Sequence, residues 1–204
     1  MVTAMHELIL GGVRSGKSRA AEARAARWLA GAGPDAGRDA LLIATALPAD
    51  AEMRARIDRH RAGRAARLPA LRTLEAAHGL AAVIGAQSQP ARLLVVDCLT
   101  LWLTQLLLPP AAALEAADAA MAADLADPAA AVQRLLAAID AAAGPLVLVA
   151  NEVGLGVLPV EPAARRCVDA LGELQREVAA RCARVTLIVA GRELALPPPA
   201  GGAR

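Results

Sequence analysis

The sequence predicts an α/β domain with a mostly parallel central sheet flanked by helices, and two observations carry that prediction. Short runs rich in Leu, Val and Ile, bounded by turn residues, recur along the chain: Glu7 to Leu10, "LLIATA" (41–46), "RLLVVD" (92–97), "PLVLVAN" (145–151) and "VTLIVAG" (185–191). Such runs read as strands buried on both faces. Helical stretches separate them, and alternation of strand and helix builds a parallel sheet with helices on both sides. A chain of 204 residues suits one such domain. It is assigned to residues 1–196, while the Pro- and Gly-rich end leaves 197–204 as a loose tail, because these residues continue neither helix nor strand.

In chain order, the first strand runs into "GGVRSGKS" (11–18), and an alanine-rich amphipathic helix follows from Lys17 to about Ala30. "GAGPDAGRDA" (31–40) breaks the chain before the second strand, and "DAEMRARIDRHRAGR" (50–64) then reads as a basic helix. The alanine-dense stretch from Pro109 to Gly144, broken at Pro128, reads as surface helices without chemistry of their own.

Composition excludes several classes. The apolar fraction is 56%, inflated by alanine, and no uninterrupted apolar run is long enough to span a bilayer. The N-terminus carries no secretory pattern, so a cytoplasmic location is expected. Cys98, Cys167 and Cys182 are odd in number and far apart, which suits free thiols rather than disulfides or a zinc site. A net charge of +2 and the absence of Phe and Tyr argue against nucleic acid as partner.

Gly11-x4-Gly16-Lys17-Ser18 is a complete P-loop between a strand and a helix. Gly11, Gly12, Val13, Arg14, Ser15 and Gly16 would wrap a nucleotide's phosphates with backbone N–H groups, Lys17 would bridge the terminal phosphates, and the Ser18 hydroxyl would face Mg2+. Asp97, ending the apolar run "LLVVD", is the matching acidic group for the metal, with capping of the helix near Leu99 as its alternative role. Asn151 and Glu152 end another strand on the ligand-binding edge, with roles left open.

In the basic helix Arg56, His60 and Arg64 stand at i, i+4 and i+8 on one face, with Arg61 beside them. A solvated basic face explains this pattern; so does an anion site in which a neutral His60 attacks phosphorus.

Five blocks in order, "GGVRSGKS", "IATA" (43–46), "DAEMRARIDRHRAGR", "VDCLTLWLTQLL" (96–107) and "NEVGLGVLP" (151–159), resemble the bifunctional adenosylcobinamide kinase / adenosylcobinamide-phosphate guanylyltransferases of cobalamin synthesis. The resemblance implies a RecA-like P-loop NTPase fold, a homotrimer, and two reactions at one nucleotide site. ATP or GTP phosphorylates the aminopropanol hydroxyl of adenosylcobinamide; GMP then passes from GTP to that phosphate through a GMP-histidine intermediate, releasing pyrophosphate. By the same resemblance His60 is the nucleophile, Ala44, Thr45 and Ala46 line the nucleotide site, and Arg61, Ala62, Gly63 and Arg64 follow the nucleophile against phosphate or ribose. Glu75 in "LRTLEAA" corresponds to an acidic residue that follows a Thr in the family, where a carboxylate could accept hydrogen bonds from a guanine edge, with helix capping as its competing role.

The chain also departs from the resemblance. Leu71 stands where tryptophan is common. Arg165, Asp169 and Gly172 are retained in the later helix, but Cys167, Val168, Gln175 and Arg176 replace Phe, Arg, Asn and Gln. That helix is expected to lie outside the phosphate site, so the changes bear on corrinoid contacts or subunit packing. The rival functions are a monofunctional P-loop small-molecule kinase and a non-catalytic nucleotide switch.

Overall fold

The computed structural model describes residues 6–31, 37–110 and 119–199. Strands β1 (Glu7–Gly11), β2 (Asp39–Ala44), β3 (Arg72–Glu75), β4 (Arg92–Asp97), β5 (Leu146–Asn151), β6 (Arg184–Val189) and β7 (Arg192–Leu196) form one sheet in the order β3-β2-β4-β5-β1-β6-β7. All neighbours are parallel except β6 and β7. β5 is inserted between the P-loop strand β1 and the strand that ends at Asp97, the strand arrangement of a RecA-like P-loop domain.

Helices α1 (Lys17–Ala30), α2 (Ala51–Arg67), α3 (Leu80–Gln87), α4 (Leu99–Leu107), α5 (Ala119–Ala126), α6 (Pro128–Asp140) and α7 (Pro162–Arg181) connect the strands. Central strands are buried on both faces, as their continuous apolar runs require. One face packs on α3, α4, α6 and α7 through Leu80, Ile84, Trp102, Leu135, Ile139 and Leu174. The other packs on α1 through Ala21 and Ala25, whose small side chains let that helix approach closely.

Two strands escaped the sequence reading. β3 has an exposed pattern at the sheet edge, and its Arg, Thr and Glu mask the apolar signal. β7 is exposed throughout and returns antiparallel after a tight turn at Ala190 and Gly191, whose φ angles are 51° and 75°. Two capping alternatives also fall. Asp97 does not cap α4, because Cys98 occupies the N-cap and accepts from the Leu101 N–H; Glu75 ends β3, while α3 starts after Gly79. In the alanine-dense stretch, Pro128 opens α6 behind the cap Asp127, consistent with its missing N–H; residues 111–118 lie outside the described residues, as do residues 200–204 of the tail.

At the opposite end of the sheet His6 is buried, accepting the Leu146 N–H at Nδ1 and donating to the Ile139 carbonyl. Burial holds its pKa below the ordinary 6.5, outweighing the backbone hydrogen bond and Asp140, which act in the other sense. The unfolded chain therefore takes up this proton first. Stability from neutral His6 is complete above pH 6.5 and is lost as pH falls through 6.5 toward the folded-state value. Thermal melts from pH 7 to 5 should show a declining midpoint whose slope is reduced in His6→Gln.

Candidate active site

The P-loop leaves β1 at Gly11 and enters α1 at Gly16, which takes φ 107° at the N-cap with no side chain capping the helix. The first amides of α1 are thus left for an anion. Gly11 admits no side chain: a Cβ there would collide with the Ile188 carbonyl oxygen and lie 2.7 Å from Ser15 Oγ. Gly11→Ala should cost about 1–3 kcal/mol in stability as well as nucleotide binding, measured by denaturant unfolding and GTP titration. Among the described residues Ser15 Oγ is buried with no hydrogen-bond partner, an unsatisfied polar atom within the loop.

Lys17 is 7% exposed, and its Nζ donates to the Gly12 carbonyl at 2.6 Å, so the ammonium curls back over the loop. Burial lowers its pKa, opposed by Cys98 and Asp97 and reinforced by Arg56. Lys17 therefore lies within electrostatic reach of both the β4 strand end and α2.

The strand end is held by Thr45. Its hydroxyl accepts the Cys98 N–H at 2.8 Å and donates to the Cys98 carbonyl at 2.7 Å, while the Thr45 carbonyl accepts from Gln105 Nε2 at 3.0 Å. Thr45 is fully buried, whereas Ala44 and Ala46 are half-buried at the strand edge. Its side chain thus orients the Asp97–Cys98 segment; an exposed surface at this strand end comes from the two alanines. Gln105, which sequence reasoning passed over within "LTLWLTQLL", completes the clamp.

α2 is capped by Asp50, whose carboxylate accepts the Met53 N–H at 2.7 Å. At its far end Arg67 forks onto Glu22 of α1, both bonds at 2.9 Å, and Arg64 Nε donates to Thr73 Oγ1 of β3 at 3.2 Å. Arg64 is buried; burial lowers its pKa, with Glu22 and Asp97 opposing, and the guanidinium stays charged. The Arg67 fork thus ties α2, which carries Arg56, His60 and Arg64 on one face, to the helix that leaves the phosphate loop. His60 is exposed on that row, with no hydrogen bond or ion pair among the described residues. Arg61 forms an ion pair with Glu75. Gly63 packs beside Arg67, and Ala62, two residues beyond His60, stands on another side of the helix.

Between α2 and β3 lies a cleft of about 430 Å³ lined by Arg61, Arg64, Pro69, Leu71, Thr73 and Glu75. It combines apolar walls with a carboxylate and two guanidiniums, a lining suited to a flat heterocycle with polar edges. Leu71, where the resemblance led to tryptophan, forms part of the wall.

β5 ends beside the P-loop, Asn151 opposite Gly11, and the Glu152 N–H donates to the Gly11 carbonyl at 3.0 Å. The Asn151 peptide is braced from two helices: its N–H donates to Thr100 Oγ1 at 2.7 Å and its carbonyl accepts from Gln175 Nε2 at 2.7 Å. Among the altered positions on α7, Gln175 is thus bonded to the strand end next to the phosphate loop. Gln175 reaches from α7 to the strand that abuts Gly11, a contact that depends on tertiary packing and leaves no local signal. Among the described residues no corresponding contact involves Cys167, Val168 or Arg176.

For the metal, Ser18 and Asp97 offer hard oxygen donors of the kind Mg2+ takes. Among the described residues no group of three or more His, Cys, Asp or Glu side chains gathers to hold an ion, so these two would need phosphate and water oxygens to complete a shell. No helix among the described residues is long and apolar enough to cross a membrane.

Comparison with known proteins agrees with this geometry. Residues 7–196 match the family model described as cobinamide kinase / cobinamide phosphate guanyltransferase. The chain is 43% identical over 198 residues to the bifunctional adenosylcobalamin biosynthesis protein CobP of Pseudomonas aeruginosa, covering 97% of this chain and 98% of that one. It is 36% identical over 191 residues to CobU of Escherichia coli and 36% over 187 residues to CobU of Salmonella typhimurium, each named a bifunctional adenosylcobalamin biosynthesis protein and each alignment covering 90% of this chain and 95% of the relative. With a P-loop, an acidic strand end and a matched span that includes every strand, the chain belongs to the cobinamide kinase / cobinamide phosphate guanyltransferase family.

Proposed function

We propose that one nucleotide site in this enzyme serves both family reactions: phosphorylation of adenosylcobinamide by ATP or GTP, and transfer of GMP from GTP to adenosylcobinamide phosphate. The observation that carries the reading is the complete phosphate loop between β1 and α1, with α2, the helix that bears Arg56, His60 and Arg64, tied to α1 where Arg67 forks onto Glu22.

In the kinase reaction the P-loop amides from Gly12 to Ser18 and the Lys17 ammonium hold the triphosphate. The substrate hydroxyl attacks the γ-phosphorus, the bond to the β-phosphate oxygen breaks, and the nucleoside diphosphate leaves. In the transfer reaction a neutral His60 nitrogen attacks the α-phosphorus and pyrophosphate leaves; Arg56 and Arg64 neutralise charge developing there. The phosphate oxygen of adenosylcobinamide phosphate then displaces His60, forming adenosylcobinamide-GDP. Glu75 accepts hydrogen bonds from the guanine edge once Arg61 yields its place, within the α2–β3 cleft. Ser18 and Asp97 would hold Mg2+, which when bound supplies charge neutralisation at the phosphates.

We place the enzyme in the cytoplasm, with its nucleotide substrates, and assemble it as a homotrimer. The loop after β5 supports an association surface: Leu155, Val157 and Val160 are 83%, 98% and 92% exposed, on a segment held where Arg165 donates to the Pro159 and Val160 carbonyls.

Incubation with GTP and adenosylcobinamide tests the two activities together. The expected result is phosphorylated substrate and GDP from one reaction, then pyrophosphate and adenosylcobinamide-GDP from the other. Phosphorylated substrate without pyrophosphate release would reduce the enzyme to a kinase; nucleotide binding without either product would make it a switch.

A further inference from the structure

We propose that the β6–β7 hairpin braces the phosphate loop from beneath, and that Glu193, acting through Arg24, is a positioning residue for nucleotide binding. The inference rests on the reading of Gly11 to Ser18 as a triphosphate cradle. The turn meets that loop directly: the Gly191 N–H donates to the Ser15 carbonyl at 2.9 Å, and the Gly191 Cα lies 3.6 Å from where a Cβ on Gly16 would sit. The carbonyl of Ile188 in β6 closes against Gly11. Ser15 and Gly16 carry amides of the anion-binding turn, so the position of the hairpin sets where those amides point.

β7 is an edge strand exposed at every residue, joined to the sheet through its ladder with β6. Its second attachment is Glu193, which accepts from Arg24 Nη1 at 2.5 Å and Nη2 at 2.7 Å. The same guanidinium donates to Glu7 through Nη2 at 2.9 Å and Nε at 3.2 Å, and Thr186 Oγ1 of β6 donates to Glu7 at 2.8 Å. Arg24 lies on the helix that leaves the P-loop and Glu7 on the strand that enters it. One cation therefore ties together the strand before the loop, the helix after it and the hairpin beneath it.

The arrangement separates positioning from stability. The Arg24 and Glu7 side chains are each 8% exposed, whereas Glu193 is 47% exposed. Loss of Glu193 leaves Arg24 paired with Glu7, so no buried charge is orphaned and the domain should stay folded. What is lost is the fork that fixes the hairpin, and with it the preorganisation of the Ser15–Gly16 amides.

The test compares wild type, Glu193→Gln and Glu193→Asp by calorimetric titration with GTP, by steady-state kinetics of both reactions and by thermal melting without nucleotide. In Glu193→Gln the Kd for GTP and the nucleotide KM of both reactions should rise about fivefold, with kcat near wild type and the melting midpoint little changed. Glu193→Asp, which keeps the charge without the reach for a two-point fork, should be intermediate, and it carries the test if the Gln variant does not fold. Unchanged Kd and KM, with or without a lower melting point, would overturn the brace. A wild-type protein that binds no GTP would instead overturn the nucleotide reading on which the brace depends.

Discussion

Replacing His60 with Ala should abolish guanylyl transfer while leaving the kinase reaction largely intact. The transfer rate should fall by about three orders of magnitude or more, because removing a nucleophile removes a route and not merely a contact. Phosphorylation of adenosylcobinamide should change by less than about tenfold, since phosphoryl transfer relies on positioning by the loop and its lysine and needs no covalent step. Destabilisation does not offer an alternative explanation: His60 is exposed and makes no hydrogen bond or ion pair among the described residues. Separate measurement of GDP and pyrophosphate formation checks the split, and equal loss of both products would contradict it.

Lys17→Ala should behave in the opposite manner and damage both reactions. Its ammonium is buried on the Gly12 carbonyl, ready to exchange that contact for phosphate oxygens. Removing it should lower kcat/KM by about 10²–10³-fold in each reaction. The nucleotide-free protein should be little destabilised, because burial already disfavours the charged form of Lys17. Kinetics of both reactions with a melting curve on the same preparation check this. Retention of either activity at wild-type efficiency would show that the two reactions do not share the loop.

The parts of this molecule legible in its sequence are those set by local patterns. Continuous apolar runs announce β1, β2, β4 and β5, because a strand covered on both faces needs no polar alternation; β6 is announced by the same kind of run but is only partly covered, with Thr186 and Ile188 buried and Val189 exposed, because it lies next to the sheet edge. The P-loop is legible because close backbone approach restricts the residues allowed: at Gly11 even a methyl group collides with its neighbours. Edge strands carry no comparable signature. β3 and β7 are short and exposed, and their charged residues serve tertiary pairs, Arg72 with Asp39 and Glu193 with Arg24. Helical spacing places Arg56, His60 and Arg64 on one face, but which way that face turns depends on Arg67 meeting Glu22 and Arg64 meeting Thr73. Thr45 illustrates the same limit: its place at the strand end is readable, while its two bonds to Cys98 depend on a strand more than fifty residues away. Gln175 shows it again, since a helix that looks remote from the loop in sequence reaches the carbonyl beside it.

The nucleophilic role of His60 is tested most directly by incubating the enzyme with GTP radiolabelled on the α-phosphate and isolating the protein. Wild type should retain label in an acid-labile, base-stable linkage, as a phosphoramidate to histidine requires, and release it on addition of adenosylcobinamide phosphate. His60→Ala should retain none. Label persisting in His60→Ala, or a wild-type enzyme that forms adenosylcobinamide-GDP without becoming labelled, would contradict the histidine intermediate.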